Sequence, residues 1–314
     1  MILIILDRNY RYRSFGLSIE SEFQLPELSF SEHELEEEQP GLTIAGADLM
    51  ETWDSLNPVG AHLAIEGETV YVRVPDTGIF AMENGQSILV SLFPEANMDK
   101  VRLYLLGSCM GVILMQRRIL PLHGSAIAIN GKAYAIVGHS GAGKTTLSTY
   151  LLEQGYQLLS DDLIAVTLDQ DDNPIVTPSY PQQKIWQETI DLLGMKPERL
   201  KPLFERETKF AVPVSDRFHS SPLPLAGVYE LIKVEQGAAL QPVEGLERFH
   251  TLLQHTFRGF LIERLGLMDW HFGFLARFVN RIQMHRLCRP QAPSSVQELA
   301  ELLIQTTAKE NRHI

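Results

Sequence analysis

The chain has 314 residues, 45% of them hydrophobic, which is enough for packed cores in roughly two domains. Its 39 acidic against 27 basic side chains leave a net charge of −12 with no basic patch, which excludes a nucleic-acid backbone as partner. The two cysteines, Cys109 and Cys288, stand far apart, so neither a disulfide framework nor a cysteine-rich zinc site is encoded, and a reducing, cytoplasmic setting fits.

The opening MILIIL is followed at once by Asp7, Arg8 and Arg11. It is too short for a membrane span, lacks a signal-peptide layout and reads as a first strand, so no membrane partner is expected. Through residues 1–98 short apolar runs alternate with turn formers such as Gly16, Pro26, Gly67 and Gly85, and 69–74 and 87–93 have the period-two pattern of a half-buried sheet. A small β-rich N-terminal domain over 1–98 is expected. The acidic run at 32–38 reads as a solvated loop. Residues 99–120 follow helical spacing through Val101, Leu105, Cys109, Val112 and Ile113 and open a second, α/β domain over 99–314.

In that domain the runs 125–129 and 132–137 flank Asn130 and Gly131, the pair that a type I′ hairpin turn favours because both central residues need positive φ. A two-residue loop fixes the register: 129 faces 132, 126 faces 135, and His123 falls beside Gly138. There the chain reads Gly138, His139, Ser140, Gly141, Ala142, Gly143, Lys144, Thr145, Thr146, which fills the phosphate-binding pattern GxxxxGK[ST] without a mismatch. Glycines let backbone N–H groups close on phosphate oxygens, and the helix expected over 144–152 adds its partial positive charge. Lys144 would reach the β and γ phosphates of ATP, and the Thr145 hydroxyl would ligate Mg2+.

Gly155 ends that helix and 156–160 reads as a strand that delivers Asp161 and Asp162. A strand–helix–strand crossover returns the second strand parallel to the first, so neighbouring strands would bring both carboxylates beside the phosphate loop. Phosphoryl transfer needs a carboxylate for the attacking hydroxyl and oxygen ligands for the metal, and adjacent carboxylates can divide those tasks. Strands are then expected over 163–168, 174–177, 209–214 and 227–234, helices within 246–280, and a closing strand at 282–287. A capping box of Ser295 and Glu298 announces the last helix. Lys209 and Arg258 are candidates for additional positive charge at the site.

From 122 to 166 the chain reads LHGSAIAINGKAYAIVGHSGAGKTTLSTYLLEQGYQLLSDDLIAV. The histidine-glycine pair, hairpin, phosphate loop and strand ending in two aspartates, in this order and spacing, resemble the kinase domain of the HPr kinase/phosphorylase family. The segment SFGLSIESEFQLPEL at 14–28 is similar to the opening of HPr-kinase-like proteins from peptide-modification gene clusters. The resemblance implies an α/β, P-loop-containing HPr-kinase-like kinase domain that transfers phosphate from ATP, with Mg2+, to a serine hydroxyl. It makes Asp161 the general base, Asp162 its partner near the metal together with Thr145, and His123 a residue bordering the site. Within the family the chain looks most similar to kinases of the C-terminal serine of lasso-peptide precursors. A peptide or protein carrying an acceptor serine is then the expected partner, and a homo-oligomer the hinted assembly.

Three departures weigh against phosphorolysis and against HPr as acceptor. Thr146 stands where HPr kinases usually carry a glutamate, and neither the glutamate-arginine-glycine signature nor the flexible basic loop has a counterpart here. By themselves the residues also leave open an HPr-type or small-molecule kinase, an ATPase switch without an acceptor, and a non-catalytic nucleotide-binding adaptor. The two aspartates argue against the adaptor, which has no need of a base.

Overall fold

The computed structural model describes residues 9–28, 41–195, 201–203, 206–235, 237–290 and 295–310, so the expected first strand MILIIL and the acidic run 32–38 lie outside the described residues. The chain divides into two compact units, Met1–Arg117 and Arg118–Ile314. The helical segment placed by its sequence at the head of the second domain thus goes with the first unit, and the division falls at 117/118 instead of 98/99.

The first unit holds β1 (Tyr10–Ser14), β2 (Leu17–Ser21), β3 (Leu42–Gly46), α1 (Met50–Ser55), β4 (Leu63–Glu66), β5 (Thr69–Val74), β6 (Gly78–Glu83), β7 (Ser87–Leu92), α2 (Met98–Tyr104) and α3 (Met110–Gln116). Its described strands form one sheet in the order β1-β2-β3-β7-β6-β5-β4. Alternation along β6 decides the layers: Ile79 and Ala81 pack with Trp53 of α1 and Tyr71, whereas Phe80 on the other face stacks on Tyr104 of α2 at 6.0 Å. Asn97 caps α2 by accepting the N–H groups of Asp99 and Lys100. Between α2 and α3 one π-helical turn, Leu105–Cys109, joins the two into one path, and the helical run ends at Gln116 because Leu120 already begins a strand.

The second unit holds β8 (Leu120–Ile129), β9 (Lys132–Val137), α4 (Lys144–Glu153), β10 (Gln157–Ser160), β11 (Leu163–Leu168), β12 (Pro174–Thr177), β13 (Gln182–Trp186), α5 (Gln187–Leu192), β14 (Lys201–Leu203), β15 (Arg206–Pro213), β16 (Leu223–Val234), β17 (Ala239–Pro242), α6 (Leu246–Gln254), α7 (Phe260–Arg264), α8 (Met268–Phe278), β18 (Gln283–Pro290) and α9 (Ser295–Glu310). The architecture is mixed α/β. Asn130 and Gly131 both take positive φ, and the β8–β9 hairpin has the register expected of a two-residue loop, Ile129 facing Lys132 and Ala126 facing Ala135. Ile127, Ile129, Tyr134 and Ile136 point to one face and pack on Leu147, Leu151, Leu299 and Leu303 of α4 and α9. Ala126, Ala133, Ala135 and Val137 point to the other and meet Leu252, Phe274 and Phe278 of α6 and α8. Truncating such a fully buried aliphatic side chain, Leu151 for example, costs about 2–5 kcal/mol.

α9 opens at Ser295 with Glu298 in its first turn, so Ser295 is already helical where its sequence suggested a cap, and the residues ahead of it lie outside the described ones. The strand β10 does not neighbour β9. Both pair antiparallel with β8, which lies between them, so β9 and β10 run in the same direction one strand apart. A second difference follows from the register. Ser160 faces Ala126 and Leu163 faces His123, so β10 and β11 are two halves of one long edge of β8, and Asp161 and Asp162 interrupt it opposite Ser125 and Gly124. The aspartates therefore sit inside a strand pairing and not at a free strand end. On the other side of β9, β16 runs parallel to it, and β18 parallel to β16, so their C-terminal ends share one edge of the sheet, the edge where α/β sheets collect ligands.

Candidate active site

The loop 138–143 leaves the C-terminal end of β9 and enters α4 at Lys144. Close approach makes glycine necessary at its two ends. A methyl at Gly138 would lie 2.6 Å from the Leu231 carbonyl oxygen of β16, and one at Gly143, where φ is +108°, would lie 2.8 Å from Arg289 Nη1. Arg289, at the end of β18, donates to the Ala142 carbonyl at 3.0 Å and fixes that peptide from outside. Lys144 Nζ folds back onto the loop, donating to the carbonyls of Gly138 at 2.7 Å and His139 at 3.2 Å. Burial pushes its ammonium below the ordinary value, against the pull of Asp162 and Asp161. The start of α4 is tied down by its neighbours: Thr146 Oγ1 lies 2.8 Å from Thr189 Oγ1, and Thr149 and Ser148 meet Gln183 of β13.

The interruption between β10 and β11 gives the two aspartates different surroundings. Asp161 is only 6% exposed; Ser125 Oγ donates to its Oδ1 at 2.7 Å and the Lys184 backbone N–H to its Oδ2 at 2.9 Å. Burial outweighs both bonds and raises its carboxyl above the usual range. Asp162 takes a left-handed φ of +71° and keeps 30% of its side chain exposed. Lys184 Nζ donates to its Oδ2 at 2.9 Å, and that ammonium holds the Asp162 carboxyl well below the usual range. Burial alone would depress Lys184, but Asp162 overrides it and keeps the buried side chain charged.

His123 stands on β8 beside this pair. Its Nδ1 lies 3.0 Å from the Asp162 carbonyl oxygen and 3.5 Å from Oδ1, which places the ring proton on Nδ1. Burial and then Lys144 lower its pKa, so the ring is neutral at neutral pH. Gly124 explains the histidine-glycine pair: a methyl there would lie 2.3 Å from the Ile136 carbonyl oxygen, so only glycine lets β8 close on β9 next to the loop. The Lys209 charge acts on both Lys144 and Asp162. Arg258 lies over the Phe257 ring, which itself tilts against His123 at 6.1 Å. Sequence reasoning placed His123, Lys144, Asp161 and Asp162 together, and the structure brings all four to one edge.

Sequence reasoning missed Lys184, Arg289, Glu230 and His255. Glu230 left a legible sign, a carboxylate in the middle of the apolar run 227–234. Lys184 left none, because a lysine in a short strand with polar neighbours reads as solvent-facing.

No protein-family model matches the chain, and no curated protein matches its sequence. Among solved structures it is similar to the HPr(Ser) kinase/phosphatase from Coxiella burnetii, at a TM-score of 0.34 and 12% identity, over 62% of this chain and 93% of that one. At that distance only the geometry of the site bears on function.

Among the described residues no three His, Cys, Asp or Glu side chains group to hold a metal on their own. A magnesium ion brought in on nucleotide phosphates would need only one or two protein oxygens, its shell being completed by phosphate and water. Thr145, half-buried at the first turn of α4, and the partly exposed Asp162 carboxylate carry oxygens of that kind. No helix among the described residues is long and apolar enough to cross a membrane.

Proposed function

We propose that this protein is an ATP-dependent serine kinase. The reading is carried by one observation: at the lip of a glycine loop that ends in Lys144, an aspartate in left-handed backbone is held open between Lys184 and His123. The acceptor serine oxygen attacks the γ phosphorus in line, the bond from that phosphorus to the bridging oxygen breaks, and ADP leaves with the electron pair. Lys144 unfolds from the loop carbonyls onto the phosphates, and the loop amides hold the triphosphate. Thr145 would hold the Mg2+, whose charge would offset that on the phosphate oxygens.

Between the two aspartates we give the acceptor hydroxyl to Asp162. The family resemblance gave the proton to Asp161, but both oxygens of Asp161 are engaged and it is almost wholly buried, whereas Asp162 faces solvent. A depressed carboxyl is a weak base, which suffices where the transition state is loose and the carboxylate chiefly orients the hydroxyl and takes its proton late. Asp161 then serves as the buried anchor of the turn.

The acceptor we assign is a serine of a peptide or protein, and within that class the C-terminal serine of a lasso-peptide precursor, which the likeness of 14–28 to peptide-modifying relatives supports. The test is incubation with Mg2+, ATP and a panel of serine-ended peptides and HPr-like proteins, read by mass. Gain of one phosphate on a serine-ended peptide supports the reading; phosphate on no acceptor, with ATP hydrolysed to ADP, points to an ATPase instead. Asp162→Asn is expected to keep ATP affinity within about threefold and to lower transfer by at least about a hundredfold.

A further inference from the structure

The described parts of the candidate site lean on a turn that the phosphoryl-transfer scheme does not use. Glu230 lies on β16 opposite Val137, the last residue before the loop, and is 6% exposed on the face that meets α6. Both its oxygens are engaged: His255 Nε2 donates to Oε1 at 3.1 Å and Arg286 Nε to Oε2 at 2.9 Å. His255 is buried in the turn that follows α6, and this turn touches both histidines of the site. Its carbonyl accepts the His123 N–H at 2.8 Å, and its ring lies edge-on to His139 at 5.5 Å. The adjacent Gln254 amide donates to His139 Nε2 at 2.8 Å. Beyond His255 and Thr256, Phe257 lies against His123 and its N–H reaches the Pro121 carbonyl at 2.8 Å.

We propose that Glu230, acting through His255, is a positioning residue that fixes the turn 254–257 against His123 and the phosphate-loop residue His139. A buried carboxylate with both oxygens already bonded is not placed to do chemistry itself. It is placed instead to define the His255 ring: Glu230 accepts from Nε2, and the ring so oriented presents its edge to the leading arm of the loop and its backbone to β8. The depressed carboxyl of Glu230, held down first by the His255 bond, keeps the acceptor charged. Burying these polar groups is costly unless each is bonded, so the pair also makes alternative turn positions unfavourable. The consequence for nucleotide binding rests on the kinase reading above; the positioning itself does not.

The experiment compares amide hydrogen exchange of the nucleotide-free full chain in wild type, Glu230→Gln and His255→Gln, well below the melting temperature of each. Exchange at 138–142 and 254–257 is expected to rise by about tenfold or more in both variants while 132–137 and α4 stay protected. A uniform rise over β9, β16 and the loop, or a rise confined to 254–257, overturns the proposal. His255→Gln leaves Glu230 its Arg286 bond and serves if Glu230→Gln does not fold.

A mutant cycle in ATP affinity separates this from general loosening. Glu230→Gln and His139→Ala are each expected to weaken binding about tenfold and the double variant no further; additive losses show that Glu230 does not act on the loop through this turn. A wild-type chain that binds no ATP sinks the kinase reading, and the exchange pattern still decides the positioning.

Discussion

Ser125 and Asp161 stand opposite one another where the edge of β8 changes partner from β10 to β11, and the Ser125 hydroxyl donates to the Asp161 carboxylate at 2.7 Å. Pairing with β8 resumes on both sides of the break, so the two aspartates are a controlled interruption of a long strand. Asp161 fills the gap inward and Asp162, turned over by its left-handed φ, keeps part of its carboxylate exposed beside Lys184. Burial of Asp161 among neutral partners and the charged partner of Asp162 set their carboxyls moving in opposite directions.

Ser125→Ala is accordingly expected to lower stability by about 1–3 kcal/mol, because one oxygen of a buried carboxylate loses its donor. ATP affinity should stay at the wild-type level, since the Ser125 hydroxyl bonds Asp161 and its backbone pairs with Ile136, ahead of the loop. Urea denaturation and nucleotide titration of the same sample check both halves. A stability loss too small to measure would mean that Asp161 Oδ1 has another donor.

The Lys184–Asp162 pair is asymmetric, and the asymmetry can be measured. Asp162→Leu leaves the buried Lys184 ammonium without its counter-charge and should cost about 3–5 kcal/mol. Lys184→Met removes the charge that was costly to bury and leaves a partly exposed carboxylate still beside His123, so its expected cost is no more than about 2 kcal/mol. Transfer to the acceptor should nevertheless fall by at least about tenfold in Lys184→Met, because Asp162 is no longer held in place. Equal stability losses in the two variants contradict this account.

The same pair fixes a sign for the pH dependence of stability. Asp162 has a folded pKa below its ordinary 3.8, so it binds protons less tightly folded than unfolded, and the stability it contributes is complete above 3.8 and drains away as pH falls toward the folded value. Asp161 is displaced upward, so its effect is opposite: stability declines as pH rises from 3.8 through its raised folded value. Asp162→Asn should therefore flatten the acid-side loss of the urea midpoint below about pH 4, and Asp161→Asn should remove the decline just above it. Parallel wild-type and variant profiles in either window would refute the corresponding shift.

Much of this site was legible because it rests on local rules. The Asn130–Gly131 turn fixes the hairpin register, and with it the place of His123 next to Gly138, from two residues alone. The loop glycines are fixed by positive φ and by close approach to β16 and β18. That β10 and β11 share one edge of β8 was not legible. Periodicity cannot tell two strands from one interrupted strand when the partner β8 is distant in sequence, and strand order in a sheet is set by packing. Lys184 and His255 belong to the same class: each is recruited through the fold by a distant carboxylate, and its burial leaves no mark on its own neighbours in sequence. The helix expected over 99–120 runs instead from Met98 to Gln116 and clusters with the first unit, because amphipathic spacing reports that a face is buried and not against what.

Gly143 offers a final test in which two causes can be separated. Its φ of +108° lies outside the range comfortable for any residue with a side chain, and a methyl there would also press on the Arg289 guanidinium. Gly143→Ala should weaken ATP binding by at least about tenfold, through strain of about 1–3 kcal/mol in the loop that shapes the phosphate cradle. Arg289→Ala removes the steric half of the conflict, at the expense of the bond that holds the Ala142 carbonyl outward, so alone it should weaken ATP only a few-fold. The combined variant should recover part of the affinity lost in Gly143→Ala and remain below Arg289→Ala, because the backbone conflict survives. Full recovery to the Arg289→Ala value would assign the whole effect to the guanidinium and none to φ.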